Sequence, residues 1–303
     1  MSFWQERVDS DTDPQVLLEH IARYRLAVPL MRAAGAWIDI GCGSGLPAEA
    51  ALAGQEPPSR VLLVDRDVDA LRAAERRFAH AGVERAVVDL GDENDLARLG
   101  ERVRALVGER AACATCFEVV EHLDDFAPLV SMLTALVAEV SLTVVLSVPN
   151  DAFWALHNPH HRTMWGGDAF EEFRSLLPDD ATVVHQLAVH GSVLEPLVET
   201  PPHTHAAELR VRADAVPTHY LVAFGAHHAS VEPVVGVEQL DLQERRAWEW
   251  QREADLAWMR ARDRQQQKDI AWFRQREEDL EYEVAQLREQ IGRARAAEPS
   301  EER

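Results

Sequence analysis

Three stretches of this chain carry residue types at spacings suited to chemistry. The first is Ile38-Asp39-Ile40-Gly41-Cys42-Gly43-Ser44-Gly45, an apolar run that ends in an acid and a G-x-G-x-G turn. Glycine lets the main chain turn sharply and pass close beneath a ligand. Dinucleotide-binding folds use a related turn. Here the tight G-x-G-x-G spacing, in place of G-x-G-x-x-G, and the preceding Asp39 lean away from a pyrophosphate binder. Asp65 closes the run Val61-Leu62-Leu63-Val64, 20 residues after Gly45. A carboxylate at that place can accept from both hydroxyls of a ribose, and the competing reading is a cap for the following helix.

The second stretch is Phe117-Glu118-Val119-Val120-Glu121-His122-Leu123. If this turn is helical, Glu118 stands at i,i+3 to Glu121 and at i,i+4 to His122, so all three side chains share one face. Two carboxylates and an imidazole together can move a proton or hold a hard divalent cation. The third stretch runs from Val148-Pro149-Asn150-Asp151 to His157-Asn158-Pro159-His160-His161. Its histidines suit acceptor binding, a base or a further metal ligand, against the plainer reading of a solvated loop. The remaining histidines, His185, His190, His203, His205, His219, His227 and His228, are scattered and read as structural.

The elements that must position these residues alternate. Residues 16–34 read as an amphipathic helix. Strands are expected at 37–40, 60–64, 85–90, 111–117 and 142–148, with helices from the glycine turn through Ala53 and over 68–81, 95–107 and 126–139. A helix over 167–177 and strands at 182–189 and 220–225 complete the set. Strands alternating with helices imply a parallel sheet with right-handed crossovers. Its carboxyl edge, where open α/β sheets bind ligands, then holds the glycine turn, Asp65 and the Glu118–His122 string.

On these residues the chain resembles class I S-adenosylmethionine (SAM)-dependent methyltransferases over about residues 30–190. The resemblance implies a doubly wound, Rossmann-like α/β fold with a mostly parallel seven-stranded sheet. It implies that Gly41, Gly43 and Gly45 pass under the amino-acid end of SAM with Asp39 nearby, and that Asp65 holds the ribose. Asp89 would reach the adenine, with Asp92 as competitor. The E-x-x-E-H string is similar to that of quinone and small-molecule O-methyltransferases, where His122 would be the catalytic base with Glu118 and Glu121 beside it. It is also similar to small-RNA 2′-O-methyltransferases, which implies Mg²⁺ or Mn²⁺ on Glu118, Glu121, His122 and a later histidine, His161, with His157 and His160 as alternatives. The expected activity is methyl transfer to a hydroxyl of a sugar, glycan or small molecule. RNA 2′-O-methylation and a non-catalytic scaffold are the alternatives.

Composition narrows this. The net charge is −21, and residues 1–236 hold 35 acidic against 18 basic residues. Nucleic-acid binders neutralise phosphates with basic surface, and this stretch offers no basic cluster, which argues against a nucleic-acid partner. No apolar run approaches membrane-spanning length, and the N-terminus lacks a signal-peptide pattern. Cys42, Cys113 and Cys116 show no disulfide or metal-finger framework, and Cys113 and Cys116 read as core residues. These features place the expected protein in the cytoplasm. The methyltransferase domain is expected over 1–226, a linker over 227–236, a coiled-coil helix over 237–297 and a disordered tail over 298–303. In the helix, Leu242, Leu256, Ile270 and Val284 recur every 14 residues, as do Met259, Phe273 and Leu287. Two heptads make that interval, with the first series at a and the second at d. Glu249, Asp263 and Glu277 interrupt the seam, so a weak, self-associating coiled coil is expected.

Overall fold

A computed structural model describes residues 8–9, 12–53, 55–79, 82–154, 160–187, 215–232 and 234, and in the C-terminal part 257–268, 270–277, 280, 284 and 288. The chain divides into two units, Met1–Glu238 and Gln239–Arg303. The first is built of α1 (Pro14–Ala33), β1 (Ala36–Ile40), α2 (Leu46–Leu52), β2 (Arg60–Asp65), α3 (Val68–Arg77), β3 (Gly82–Val87), α4 (Glu93–Val107) and β4 (Ala112–Cys116). It continues through α5 (Ala127–Glu139), β5 (Leu142–Pro149), the single turn α6 (Asp151–Trp154), α7 (Gly167–Arg174), β6 (Thr182–Gln186) and β7 (His219–Gly225). The seven strands form one sheet in the order β3-β2-β1-β4-β5-β7-β6. β7 runs antiparallel to both its neighbours, and the other pairings are parallel. In the second unit, residues 257–268 and 270–277 are helical. Among the described residues no helix is long and apolar enough to cross a membrane. Apart from 280, 284 and 288, the rest of the expected coiled coil and tail, and part of the linker, lie outside the described residues.

The period-2 alternation of a strand explains the two cores. In β1, Ala36, Ile38 and Ile40 point into one cluster with Leu96, Leu99 and Val103 of α4 and Leu129 and Leu133 of α5. Trp37 points to the other face, among Ala27 and Met31 of α1 and Leu71 and Ala74 of α3. Cys113 and Cys116 are buried free thiols in β4. Burial pushes the Cys113 thiol up to about 12, so both packing and chemistry make it inert.

Two expectations of local structure are corrected. The third strand was expected at 85–90 but spans Gly82–Val87, paired from Arg60↔Gly82 to Asp65↔Val87. β3 is an edge strand, so Glu84 and Arg85 lie exposed within it, and its polar residues hide the apolar signal by which buried strands are read. A common face for Glu118, Glu121 and His122 requires the string 118–122 to be a helical turn. Only Val120–His122 is helical, as a 3₁₀ turn, and Glu118 has φ +54°. The three side chains therefore do not share one face.

Asp39 shares the Trp37 face and is fully buried. It pairs in register with Thr115 of β4. The Thr115 hydroxyl donates to Asp39 Oδ1 (2.7 Å), and the Tyr24 hydroxyl of α1 donates to both carboxylate oxygens (3.0 and 3.1 Å). Trp37 Nε1–H donates to Thr115 Oγ1 (2.8 Å). Burial raises Asp39 to about 7, against the pull of the Thr115 and Tyr24 hydrogen bonds. The folded chain then holds a proton that the unfolded chain releases near pH 4. Stability from this group is complete below about pH 4 and is lost as pH rises to about 7. Asp39→Asn should flatten the fall in stability across that window, a difference on the order of a few kcal/mol between its ends. Urea unfolding of both proteins at pH 5 and pH 8 measures it, and equal slopes would show that Asp39 does not carry the dependence.

Candidate functional site

The cleft at the carboxyl edge of the sheet is lined by Gly41, Gly43, Ser44, Asp65, Asp89, Glu118 and His122, with His20 and Tyr24 of α1 on one side. Gly41, Gly43 and Gly45 all have left-handed φ, +73°, +52° and +74°. They differ in what surrounds them. A Cβ on Gly41 would stand 2.3 Å from Val119 Cγ2, so that glycine is required by packing. A Cβ on Gly43 would meet nothing within 4 Å. It would project into open space beside the cleft, which a ligand could fill.

Asp65, at the end of β2, ties this turn down. Its Oδ2 accepts from Gly43 N–H (2.9 Å) and its Oδ1 from Asp67 N–H (2.9 Å). Each carboxylate oxygen can accept more than one hydrogen bond, so Asp65 keeps capacity for a ribose. The cap of α3 is Asp67, not Asp65. Asp89 stands two residues past β3 on the cleft wall, its Oδ1 accepting from Gly91 N–H (2.9 Å). Its competitor Asp92 is the N-cap of α4. Asp39 does not line the cleft: its carboxylate lies behind the glycine turn, closed in by Tyr24 and Thr115.

At the end of β4 the left-handed backbone of Glu118 divides the E-x-x-E-H string in two. Such a conformation costs an L-residue about 1–2 kcal/mol, and four neighbours hold it. Glu118 N–H donates to Ser147 Oγ (3.0 Å), whose hydroxyl donates back to Glu118 Oε1 (2.7 Å). Arg23 Nη1 lies 3.7 Å from Oε1, and His219 Nε2 lies 3.3 Å from Oε2. His20 adds to their field. Burial pushes the Glu118 carboxyl up, but Arg23, His219 and His20 together hold it well below the usual range. His20 itself is pushed down by burial and by Arg23, and Glu118 stands in the cleft as an anion. Helix α1 presents His20, Arg23 and Tyr24 at i, i+3 and i+4, the spacing of one face.

Beyond Glu118 the chain brings Glu121, His122 and His161 together, with ligand atoms of all three within 4.8 Å of one another. His122 Nδ1 is 3.2 Å from the His160 carbonyl. A carbonyl only accepts, so Nδ1 carries the proton. His161 Nδ1 is likewise held by Asp151 Oδ1 (2.9 Å), which leaves its Nε2 available. Asp151 Oδ2 accepts from Trp165 N–H (2.8 Å), and the Trp165 ring packs on Phe126 and Phe173. The His161 orientation is thus fixed through a carboxylate to a rigid aromatic cluster. Glu121 is buried, and its Oε2 has no hydrogen-bond partner. Burial and the nearby Glu118 charge push it well above the usual carboxylate range. A buried carboxylate whose Oε1 lies 3.8 Å from His122 Nε2, with His161 close by, is a donor set that fits a divalent cation.

Of the residues singled out in sequence, Gly41, Gly43, Asp65, Asp89, Glu118 and His122 meet in the cleft. Glu121 and His161 join His122, while Glu118 turns to Arg23 and His219. His160 contributes its carbonyl, and His157 lies outside the described residues, as do His190, His203 and His205. Sequence reasoning missed Arg23, Tyr24, Thr115, Ser147 and Asp151 as partners and took His219 as structural. One signal was present: Arg23 is a charged residue set among the apolar residues of α1, and it is buried.

Residues 14–254 match the profile of a family described as a methyltransferase domain. No match is found among curated proteins. Among solved structures, the chain is similar to the methyltransferase domain of bacterial CtHen1, at 17% identity over 69% of this chain and 100% of that one, with a TM-score of 0.45. It is also similar to the N-methyltransferase NodS from Bradyrhizobium japonicum WM9, at 16% identity over 71% and 97%, with a TM-score of 0.42. A third likeness is to the plantazolicin methyltransferase BamL in complex with SAH, at 10% identity over 58% and 67%, with a TM-score of 0.38. The family match spans well over half of the sequence, and the chain belongs to this methyltransferase-domain family as a class I SAM-dependent enzyme.

Proposed function

We propose that this enzyme methylates a hydroxyl oxygen of a sugar, glycan or small-molecule acceptor, with a divalent cation beside the methyl donor. The observation that carries the reading is the convergence of Glu121, His122 and His161 at the edge of the cleft. SAM supplies an activated methyl for in-line displacement, so positioning provides much of the rate. Gly41, Gly43 and Gly45 pass beneath its amino-acid end, Asp65 accepts from its ribose hydroxyls, and Asp89 reaches the adenine. Asp39 supports that turn from behind.

An alcohol must lose its proton as it attacks, which calls for a base or a metal nearby. A divalent cation supplies Lewis acidity toward the acceptor hydroxyl. Glu121, His122 and His161 would hold it, and Asp151 fixes the His161 tautomer. Glu118 acts as a positioning residue: its ion pairs keep the left-handed turn that delivers Glu121 and His122 to His161. The acidic balance of residues 1–236 favours an acceptor without a phosphate backbone.

Two predictions test the reading. Gly43→Val should reduce SAM affinity at least about tenfold, since a β-branched side chain strains the left-handed backbone there and enters the space the ligand needs; Asp65→Ala should weaken SAM binding by a similar factor. Calorimetry with SAM and NAD decides this, and binding of NAD without SAM contradicts the cofactor site. Mn²⁺ should bind the protein with one high-affinity site by electron paramagnetic resonance. His161→Ala should abolish that site, and Asp151→Asn should weaken it about 10–100-fold. EDTA should stop SAH release on hydroxyl acceptors. A full rate in EDTA with loss of activity in His122→Ala assigns His122 as a metal-free base instead. Methylation of RNA 3′ ends but not of sugar hydroxyls would overturn the acceptor class.

A further inference from the structure

The helix of the second unit exposes its apolar residues. Ile270, Phe273, Leu280 and Val284 are each 44% exposed or more, and Trp272 stacks edge-on against Phe273 at 5.0 Å. Large apolar side chains repeated along one helix are covered in solution by a partner. The sequence itself says which. With Ile270 at a and Phe273 at d, position g holds Asp255, Arg262, Asp269, Arg276 and Glu283. Position e of the next heptad holds Arg260, Gln267, Arg274, Glu281 and Arg288. In a parallel, in-register pair, g of one helix lies beside e of the following heptad on the other. Four of these five neighbours are opposite charges: Asp255 with Arg260, Asp269 with Arg274, Arg276 with Glu281, and Glu283 with Arg288. Residues five apart lie on different faces of one helix, so this match has no use within a single chain.

We infer that the C-terminal helix pairs with the same helix of a second copy of this chain, parallel and in register. From Ile270 onward the seam reads Ile270, Phe273, Glu277, Leu280, Val284, Leu287 and Ile291, with one interruption. Asp263 and Glu277 at a face their own copies. Acids there cost stability and leave the assembly reversible, while a polar residue at a fixes register. The alternating signs at g and e select the parallel partner.

Sedimentation velocity on the full-length protein in the micromolar range tests this. A reversible dimer is expected, and Phe273→Asp should give monomer with unchanged helicity by circular dichroism. Glu277→Leu should tighten association about tenfold or more by removing the charge from the seam. Arg274→Glu and Asp269→Arg should each weaken it about threefold to tenfold, and the double variant should return it to within about twofold of the original. A full-length monomer throughout this range overturns the inference. So does a double variant no tighter than the single ones, because only the parallel register brings position 269 beside 274 of the other copy.

Discussion

The site depends on the left-handed backbone of Glu118. It lies where β4 ends, between a cleft made by the glycine turn and a cluster made by Glu121, His122 and His161. An L-residue holds such a conformation only when its surroundings oblige it to. Ser147 from β5, Arg23 from α1 and His219 from β7 supply that obligation. A right-handed Glu118 would continue into a helical turn and swing Glu121 and His122 away from His161. The carboxylate of Glu118 therefore acts through geometry, and the charges around it serve to keep it ionised in a half-buried place.

Helix α1 links this constraint to the rest of the domain. Arg23 reaches Glu118 and also donates to Gln186 of β6 (2.8 Å), while Tyr24 seals Asp39 beneath the glycine turn. One face of one helix so fixes both halves of the site. The glycine turn is fixed a second time by Asp65, whose carboxylate accepts from Gly43 N–H. The ribose-binding candidate and the glycine turn are thus tied into one piece before any ligand arrives, which lowers the ordering cost of binding.

How much of this was legible in the sequence follows from distance along the chain. The glycine turn and Asp65 are local to strand ends, and a buried parallel strand announces itself by its apolar run. The sheet, and the residues that meet in the cleft at its carboxyl edge, could therefore be read directly. β3 could not be placed to the residue, because its edge position leaves polar side chains within it. The partners of Asp39 and Glu118 come from elements far apart in sequence, and only the topology brings them together. The E-x-x-E-H string misled for a different reason. Helical spacing assumes right-handed backbone at Glu118, and nothing in the string announces the left-handed turn that Arg23, Ser147 and His219 impose. His161 was legible as a candidate, but its carboxylate partner Asp151, ten residues earlier, was not.

The central claim is that Glu118 shapes a metal centre it does not join. A crystal of the full-length enzyme grown with SAH and Mn²⁺, examined by anomalous scattering at the manganese edge, tests it most directly. The account predicts one manganese peak bound by Glu121, His122 Nε2 and His161 Nε2, SAH across the glycine turn with its ribose on Asp65, and Glu118 still paired with Arg23 and His219. Manganese on the Glu118 carboxylate, or SAH with no manganese at the three residues, would contradict it.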